Sequence, residues 1–204
     1  MAAISADIFA TASTEALQYS VTEGYPPLRS AVEARLREKF SIGREGDMTI
    51  ITSGGQQGIE LACKALCNEG DVVICEDPSF IGALNAFRSC GAKTVGLPVE
   101  GDGIDPEKLD ALLDCTPNAK LVYLIPTFQN PGGTTMGLEK RKAVYEICRR
   151  RGIMILEDNP YGELRFEGGR LPYIGAGHLP GSVLLGTFSK TITPGMRVGF
   201  LISE

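Results

Sequence analysis

The chain has 204 residues, of which 43% are hydrophobic and 22% charged, enough for one domain with a sizeable core and too few for two large ones. Its formal net charge of −5 argues against a surface that binds nucleic acid. No apolar run approaches the ~20 residues of a membrane span. The first residues, Met1–Asp7, lack the basic start and apolar region of a signal peptide. We therefore expect a cytoplasmic protein that engages neither nucleic acid nor a membrane.

Short apolar, β-branched segments alternate with amphipathic segments along the chain. Continuous apolar runs such as 72–75 and 153–156 suit strands that are covered on both faces, as in a mainly parallel sheet. Seven strands are predicted, at Met48–Thr52, Val72–Glu76, Lys93–Pro98, Leu121–Pro126, Ile153–Glu157, Val183–Thr187 and Val198–Ile202.

Helices are predicted near Pro27–Phe40, Gln56–Cys67, Ile81–Ser89, Pro106–Asp114 and Leu138–Arg151. This alternation of strands and helices predicts an α/β fold. Only about ten residues separate Thr187 from Val198, too few for the helix that joins parallel strands, so the last strand is predicted to be antiparallel. The expected architecture is a seven-stranded, mainly parallel sheet with one antiparallel strand and helices on both faces.

Residues that bind metal ions are few and poorly spaced. None of the six cysteines forms a CxxC pair, and Cys63 and Cys67 stand four apart within an apolar helical pattern. We interpret them as small buried thiols, with a metal or disulfide role as the alternative. The single histidine, His178, has no second ligand at a useful spacing, so no metal site is predicted.

Three segments bring polar groups to the ends of predicted strands. Ser53–Gly58 (SGGQQG) follows a strand and opens a helix, and the backbone N–H groups of such a turn attract a phosphate. Asn130–Gly133 (NPGG) and Glu157–Tyr161 (EDNPY) follow two further strands. Asp158 then lies at the carboxyl end of an apolar strand, where open α/β sheets bind their ligands.

The segment Gly186–Phe200 (GTFSKTITPGMRVGF) is the most informative of all. It puts Lys190 at the end of an apolar strand and Arg197 one loop further on. Because a buried lysine is costly unless it is neutralised, paired or converted to a Schiff base, this position suits covalent chemistry. A lysine followed by an arginine is the layout needed to hold an aldehyde cofactor and to bind its phosphate.

Each motif also has a plain structural interpretation. Ser53 could be only a helix N-cap, and Asp158 only a turn aspartate. Asn130–Gly132 is also typical of a turn, Phe80 of a core aromatic, and Lys190 of a surface lysine just past a strand.

Taken in this order, the four motifs resemble the pyridoxal-phosphate (PLP) enzymes of the class I/II aminotransferase family, which have the aspartate-aminotransferase-like fold. The stretch from Ser53 to Ser203 matches that family's large domain. The resemblance implies an N-terminal segment and helix at residues 1–47 and a PLP-binding large domain at 48–204. Nothing in the chain matches the family's C-terminal small domain, whose arginine binds the substrate α-carboxylate, so we expect that domain to be absent.

The resemblance also assigns roles to individual residues. Lys190 is implied to form a Schiff base with PLP, and Asp158, rather than its neighbour Glu157, to hold the pyridine nitrogen protonated. Catalytic roles are implied for Lys190, Asp158 and Tyr161. The residues implied to bind the cofactor are Gly55, Gln56, Phe80, Asn130, Asp158, Tyr161, Thr187, Ser189, Lys190, Arg197 and, across a subunit interface, Tyr19.

Within this set the resemblance distinguishes three parts. The phosphate is implied to lie against Gly55, Gln56, Thr187, Ser189 and Arg197. Asn130 and Tyr161 are implied to bond the phenolic oxygen of the cofactor, while Phe80 stacks on its ring. The family's tyrosine at the position of Tyr19 reaches the phosphate of the partner subunit, which implies a homodimer.

The implied function is an aminotransferase that moves the amino group of an amino acid to a 2-oxo acid, with Lys190 as general base and acid. Gly24–Arg29 and Gln129–Gly133 resemble the branch that acts on aminoadipate, aromatic, kynurenine-type or branched-chain amino acids. Three alternatives stay open: the PLP-binding effector domain of a transcriptional regulator, an inactive aminotransferase fragment, and a PLP lyase or racemase on the same fold.

Overall fold

The computed structural model describes residues 1–175 and 181–204. Within these ranges, no helix is both long and apolar enough to cross a membrane. The strands, in chain order, are β1 (Met48–Thr52), β2 (Val72–Asp77), β3 (Lys93–Glu100), β4 (Gly103–Ile104), β5 (Ala119–Leu124), β6 (Met154–Asp158), β7 (Ser182–Thr187) and β8 (Gly199–Ser203).

These strands form one sheet in the order β1-β8-β7-β6-β5-β2-β3-β4. The neighbours among β2, β3, β5, β6 and β7 pair in parallel. β8 is antiparallel to β1 on one side and to β7 on the other, so β1 runs in the same direction as the parallel strands. The predicted α/β sheet is confirmed, with its antiparallel last strand.

The sheet differs from the sequence prediction in one additional strand and in the ends of several strands, such as β3, which runs to Glu100. β4 is an eighth strand, antiparallel to β3, that was not predicted because two residues carry no periodic pattern. β5 ends at Leu124 rather than at Pro126. The reason is that Ile125 donates its N–H to the side chain of Glu76, and proline has no N–H to donate.

The helices flank the sheet on both faces, as predicted. They are α1 (Ala2–Thr11), α2 (Ser13–Leu17), α3 (Pro26–Phe40), α4 (Gly55–Leu66), α5 (Ile81–Ser89), α6 (Pro106–Asp114) and α7 (Leu138–Arg151), with a 3₁₀ turn at Pro194–Met196. Alternate residues of β2 point to opposite sides of the sheet. Val73 and Cys75 pack with α4 and α5, whereas Val72 and Ile74 pack with α6 and α7.

The N-terminal helices differ in how they contact this core. α3 packs Val32 and Leu36 against Leu184 and Ile202, on β7 and β8. No residue of α1 is buried, and neither α1 nor α2 was predicted from the sequence. The carboxyl ends of the parallel strands therefore stay open at one edge of the sheet, where the motifs converge.

Candidate functional site

A cavity of about 250 Å³ lies at the carboxyl ends of the central strands. Ten of the eleven residues predicted to bind a cofactor line it: Gly55, Gln56, Phe80, Asn130, Asp158, Tyr161, Thr187, Ser189, Lys190 and Arg197. The eleventh, Tyr19, lies outside this cavity, and 99% of its surface is exposed. One chain thus assembles ten groups that lie between Gly55 and Arg197, more than half its length in sequence.

The glycine-rich turn after β1 forms one wall of the cavity. Gly54 has a φ of +79°, which L side chains rarely adopt, and a Cβ atom there would overlap the guanidinium group of Arg197. No side chain caps the following helix α4. The first backbone N–H groups of α4 and the Arg197 side chain therefore face the same space, and both favour an anion.

The segment after β7 lies beside this turn, since a Cβ atom on Gly55 would come within 3.7 Å of Thr187 Cβ. The hydroxyl group of Thr187 lies 3.0 Å from that of Ser189 and also accepts the backbone N–H of Ser189. Lys190 follows in the turn and is exposed. The strand end predicted at Thr187 is confirmed, but the expectation of a buried Lys190 is wrong, because this residue lies three positions further on and is exposed. Lys190 therefore lies in contact with solvent at the cavity.

Asp158 is the buried acid of the cavity. It ends β6, where alternation directs its side chain to the cavity and that of Glu157 to the other side, against α7. Tyr123 of β5 donates its hydroxyl to Asp158 Oδ2 at 2.7 Å. Burial raises the pKa of Asp158 to about 6, although this hydrogen bond opposes the rise. A cation beside the free oxygen would lower that pKa again.

Asn130, Tyr161 and Phe80 complete the polar and aromatic lining. The side-chain amide of Asn130 donates to the hydroxyl oxygen of Tyr161 at 3.4 Å. Phe80 immediately precedes α5, and a Cβ atom on Gly82 would come within 2.5 Å of its ring. Because Gly82 has no side chain, the ring of Phe80 can lie against the start of α5. The carbonyl of Gly82 also accepts a hydrogen bond from the side-chain amide of Gln56 at 2.8 Å.

Several residues at the cavity were not predicted from the sequence. Ile59, Ile125, Pro160 and Pro194 supply apolar wall. Tyr123 is fully buried and supports Asp158. The signal that could have found Tyr123 is its hydroxyl: a buried tyrosine needs a hydrogen-bond partner, and the next parallel strand offers one.

Glu76 is a second buried carboxyl group, at the end of β2, and it makes stability depend on pH. Its pKa is raised to about 7, first by burial and also by the charge of Asp158, against hydrogen bonds from Ile125 and Gln129. The folded chain thus holds this proton more tightly than the unfolded chain, whose pKa is about 4.3. The free energy of unfolding should therefore fall as pH rises from about 5 to 8, by on the order of 3 kcal/mol for this group.

Urea unfolding of the wild type and of Glu76→Gln, at about pH 5 and at about pH 8, measures how much Glu76 contributes to the free energy of unfolding. The variant cannot titrate at this position, so its free energy of unfolding should vary less with pH than that of the wild type. Parallel pH curves for the two proteins would show that Glu76 titrates alike in the folded and unfolded chains.

Metal-binding groups are not a feature of this cavity. Among the residues that the structure describes, no cluster of three or more His, Cys, Asp or Glu side chains could hold a metal ion. All six cysteines are free thiols, and Cys63, Cys75 and Cys148 are buried. The predicted loop histidine, His178, lies outside the described residues.

Comparison with known proteins agrees with this geometry. The family model for aminotransferase class I and II matches residues 1–204. The chain is 38% identical to aromatic-amino-acid aminotransferase 1 of Thermococcus litoralis over 98% of its own length. The crystal structure of Pyrococcus horikoshii kynurenine aminotransferase, in complex with PMP, superposes with a TM-score of 0.93 at 34% identity over 98% of this chain.

The chain is also similar to a regulatory protein. The chain is 34% identical, over 90% of its length, to a probable rhizopine catabolism regulatory protein, MocR, of Rhizobium meliloti, and it covers 36% of that protein. It spans 49% of the Thermococcus enzyme and 51% of the Pyrococcus chain, about half of each. Since the family model covers the whole sequence, the chain belongs to the aminotransferase class I and II family.

Proposed function

We propose that this chain binds PLP through Lys190 and forms the cofactor-binding part of an aminotransferase, which passes an amino group between an amino acid and a 2-oxo acid. The observation that carries the proposal is the convergence of a lysine, a buried carboxyl group and a helix start with its arginine on one cavity. These are the groups that PLP chemistry requires of a protein. Residues 48–204 would be the cofactor domain, preceded by the segment 1–47.

The residues fit the phosphate of PLP. The uncapped start of α4 offers backbone N–H groups at Gly55 and Gln56. The missing Cβ of Gly54 leaves the room that Arg197 takes beside them. The hydroxyl groups of Thr187 and Ser189 face the same end of the cavity. A phosphate would therefore find both charge compensation and hydrogen-bond donors.

The residues also fit the ring. Asp158 has one oxygen engaged by Tyr123, so its other oxygen is left for the pyridine N–H of PLP. The high pKa of Tyr123, raised by burial, keeps that hydroxyl protonated and donating. Phe80 supplies a flat apolar surface, and Asn130 and Tyr161 bring donors to the position of the phenolic oxygen.

When it is bound, PLP supplies an electron sink that stabilises negative charge at the α-carbon of an amino acid. Asp158 favours this by keeping the ring nitrogen protonated. Lys190 Nζ would hold the cofactor and would accept and return the α-proton of the amino acid, and the exposure of Lys190 gives its side chain freedom to do both. Asn130 and Tyr161 orient the ring, while Ile59, Ile125 and Pro160 limit the access of water.

The proposal includes a homodimer in which Tyr19 contacts the phosphate of the partner subunit. Tyr19 is almost wholly exposed, and α1 exposes Ile4 and Phe9 without burying any residue. Exposed apolar side chains on a helix are typical of a surface that packs on another chain. Sedimentation analysis tests this, and a monomer would contradict it. A cytoplasmic location, expected from the sequence, stays a prediction.

A second candidate function is the effector-sensing domain of a transcriptional regulator, favoured by the match to the MocR protein. Both candidates require PLP on Lys190. They differ in what an added amino acid does: an aminotransferase converts bound PLP to its amine form and releases a 2-oxo acid, whereas a sensor only changes its absorbance. An inactive fragment would bind PLP without either response.

The test of the proposed function is retention of PLP. The chain is mixed with PLP, desalted, examined for visible absorbance, reduced with borohydride, digested and mapped by mass spectrometry. We expect one labelled peptide that contains Lys190. Amino acids and 2-oxo acids are then added separately to the unreduced protein. Absence of retained cofactor would contradict the proposal.

Replacing Asp158 with asparagine should weaken PLP binding without destabilising the cofactor-free chain. Asparagine keeps an acceptor for Tyr123 but cannot carry the charge that pairs with the ring nitrogen, a loss of about 1.5–3 kcal/mol, or on the order of ten- to hundredfold in affinity. Because burial already disfavours the Asp158 charge, unfolding of the empty protein should change little. Equilibrium dialysis with PLP and urea unfolding measure the two quantities.

The matched control is Asp102→Asn, at an exposed turn where the carboxylate pairs with Lys140. It should bind PLP as the wild type does. Unchanged affinity in Asp158→Asn would mean that a different group contacts the ring nitrogen.

A further inference from the structure

Gln129 directly precedes Asn130 in the loop between β5 and α7, and its side chain is 2% exposed. Its amide nitrogen, Nε2, donates to the carbonyl of Pro78 at 2.8 Å and lies 3.4 Å from Glu76 Oε2. Its oxygen, Oε1, accepts the backbone N–H of Gly132 at 2.6 Å. One buried side chain therefore bonds two separate loops.

The two loops carry groups on different sides of the cavity. Pro78 belongs to the segment between β2 and α5, which ends in Phe80. Gly132 belongs to the turn Asn130–Gly133. This turn is also closed by the backbone of Gln129, which accepts the N–H of Gly133 at 2.5 Å and donates to Thr134 at 2.8 Å. β2 and β5 are neighbours in the sheet, so Gln129 bridges the loops just beyond the point where strand pairing ends.

The chemistry of this position suits glutamine. It must donate to a carbonyl and accept an N–H at the same time, from a side chain that is itself buried. A glutamate would keep the acceptor and lose the donor, while an alanine would lose both. The fit is close, because a Cβ atom on Gly132 would come within 2.9 Å of Gln129 Oε1.

We propose that Gln129 is a positioning residue for the cofactor site, which fixes Asn130 relative to Phe80 across the cavity. This inference rests on the proposed function, since Asn130 and Phe80 matter there as the donor and the ring surface for PLP. Gln129 touches neither the cofactor nor Lys190 in this role. It acts through Asn130, whose amide it holds in reach of the Tyr161 hydroxyl.

The first test needs no cofactor. Hydrogen exchange of backbone amides is followed by mass spectrometry in peptides covering residues 77–84 and 128–136. We expect Gln129→Ala to speed exchange in both peptides by about tenfold. Gln129→Glu should speed it in 77–84 only, because the carboxylate still accepts the N–H of Gly132. Gln18→Ala, at an exposed position, is the matched control and should change neither peptide. Unchanged exchange in both Gln129 variants would overturn the proposal.

The second test uses the PLP-loaded chain and the pH at which its visible absorbance changes. If Gln129 acts through Asn130, Gln129→Ala should shift this midpoint in the same direction as Asn130→Ala. The double variant should then match Asn130→Ala alone. If the shifts of the midpoint in Gln129→Ala and Asn130→Ala instead added up in the double variant, the coupling of Gln129 to Asn130 would be contradicted. This would hold even if hydrogen exchange had changed. A merely structural glutamine would lower stability without moving the midpoint.

The two tests separate this inference from the proposed function. If the wild type retains no PLP, the proposed function fails, and exchange still decides whether Gln129 couples the loops. If the wild type binds PLP and the Gln129 variants match it in both readouts, the positioning role alone is contradicted.

Discussion

Lys190→Ala is expected to abolish borohydride-stable labelling of the chain by PLP and to leave its fold intact. Alanine removes the amine that holds the cofactor and moves the proton, and exchange of the α-proton of an amino acid should fall by at least ~10²-fold. Because Lys190 is exposed, the free energy of unfolding should change by no more than about 0.5 kcal/mol. Peptide mapping, proton exchange in heavy water and urea unfolding measure the three effects.

The matched control is Lys142→Ala, an exposed lysine of α7 that pairs with Glu139. It should label as the wild type does. Recovery of a reduced PLP adduct on another lysine in Lys190→Ala would contradict the assignment. A variant that still bound PLP noncovalently would support it, since the phosphate and ring contacts do not involve this amine.

Arg141→Ala is expected to destabilise the chain by about 3–5 kcal/mol. Arg141 is 1% exposed, and its guanidinium donates to the carbonyls of Met136, Pro126 and Pro172 and to the hydroxyl of Thr127. Its Nη1 also lies 3.9 Å from Oε1 of the buried Glu157. Alanine would leave these acceptors unpaired, remove the cation nearest to Glu157 and open a cavity.

Urea or thermal unfolding measures this loss, which is a large fraction of the 5–15 kcal/mol that is typical of a domain. Arg149→Ala, on the exposed side of the same helix, removes a surface pair with Glu146 and should cost about 1 kcal/mol or less. Equal effects of the two substitutions would mean that the buried hydrogen bonds of Arg141 contribute nothing beyond those of a surface pair.

The sheet was predictable because its strands are apolar on both faces and its helices are amphipathic. The antiparallel direction of β8 was also predictable, because the link between Thr187 and Val198 is too short for a crossover helix. α1 was not predicted, because none of its residues is buried and it therefore has no apolar face that repeats against a core. Its alanine-rich sequence favours a helix only by intrinsic propensity, which is a weak signal.

The cavity lining was largely predictable because the motifs at the strand ends resemble those of a known family, and the resemblance implied their residues. The supporting residues were not, since their role depends on partners far away in the chain. Tyr123 bonds a carboxylate 35 residues away, and Gln129 bonds a carbonyl 51 residues away. Tyr123 has the appearance of a core aromatic within its strand, and Arg141 that of a surface arginine within its helix. The hydrogen bond of Tyr123 to Asp158 and the burial of Arg141 reveal the difference.

The place of β8 between β1 and β7 has a consequence for synthesis on the ribosome. β1 pairs with β8 along its length, from Met48 with Ser203 to Thr52 with Gly199. A nascent chain that has already made β1 must therefore wait until Gly199–Ser203 has been synthesised before this strand finds that neighbour. The same pairing of β1 with β8 brings the glycine turn after β1 next to Arg197, which precedes β8. Binding of PLP would thus report that translation has passed β8 and that β1 has paired with it.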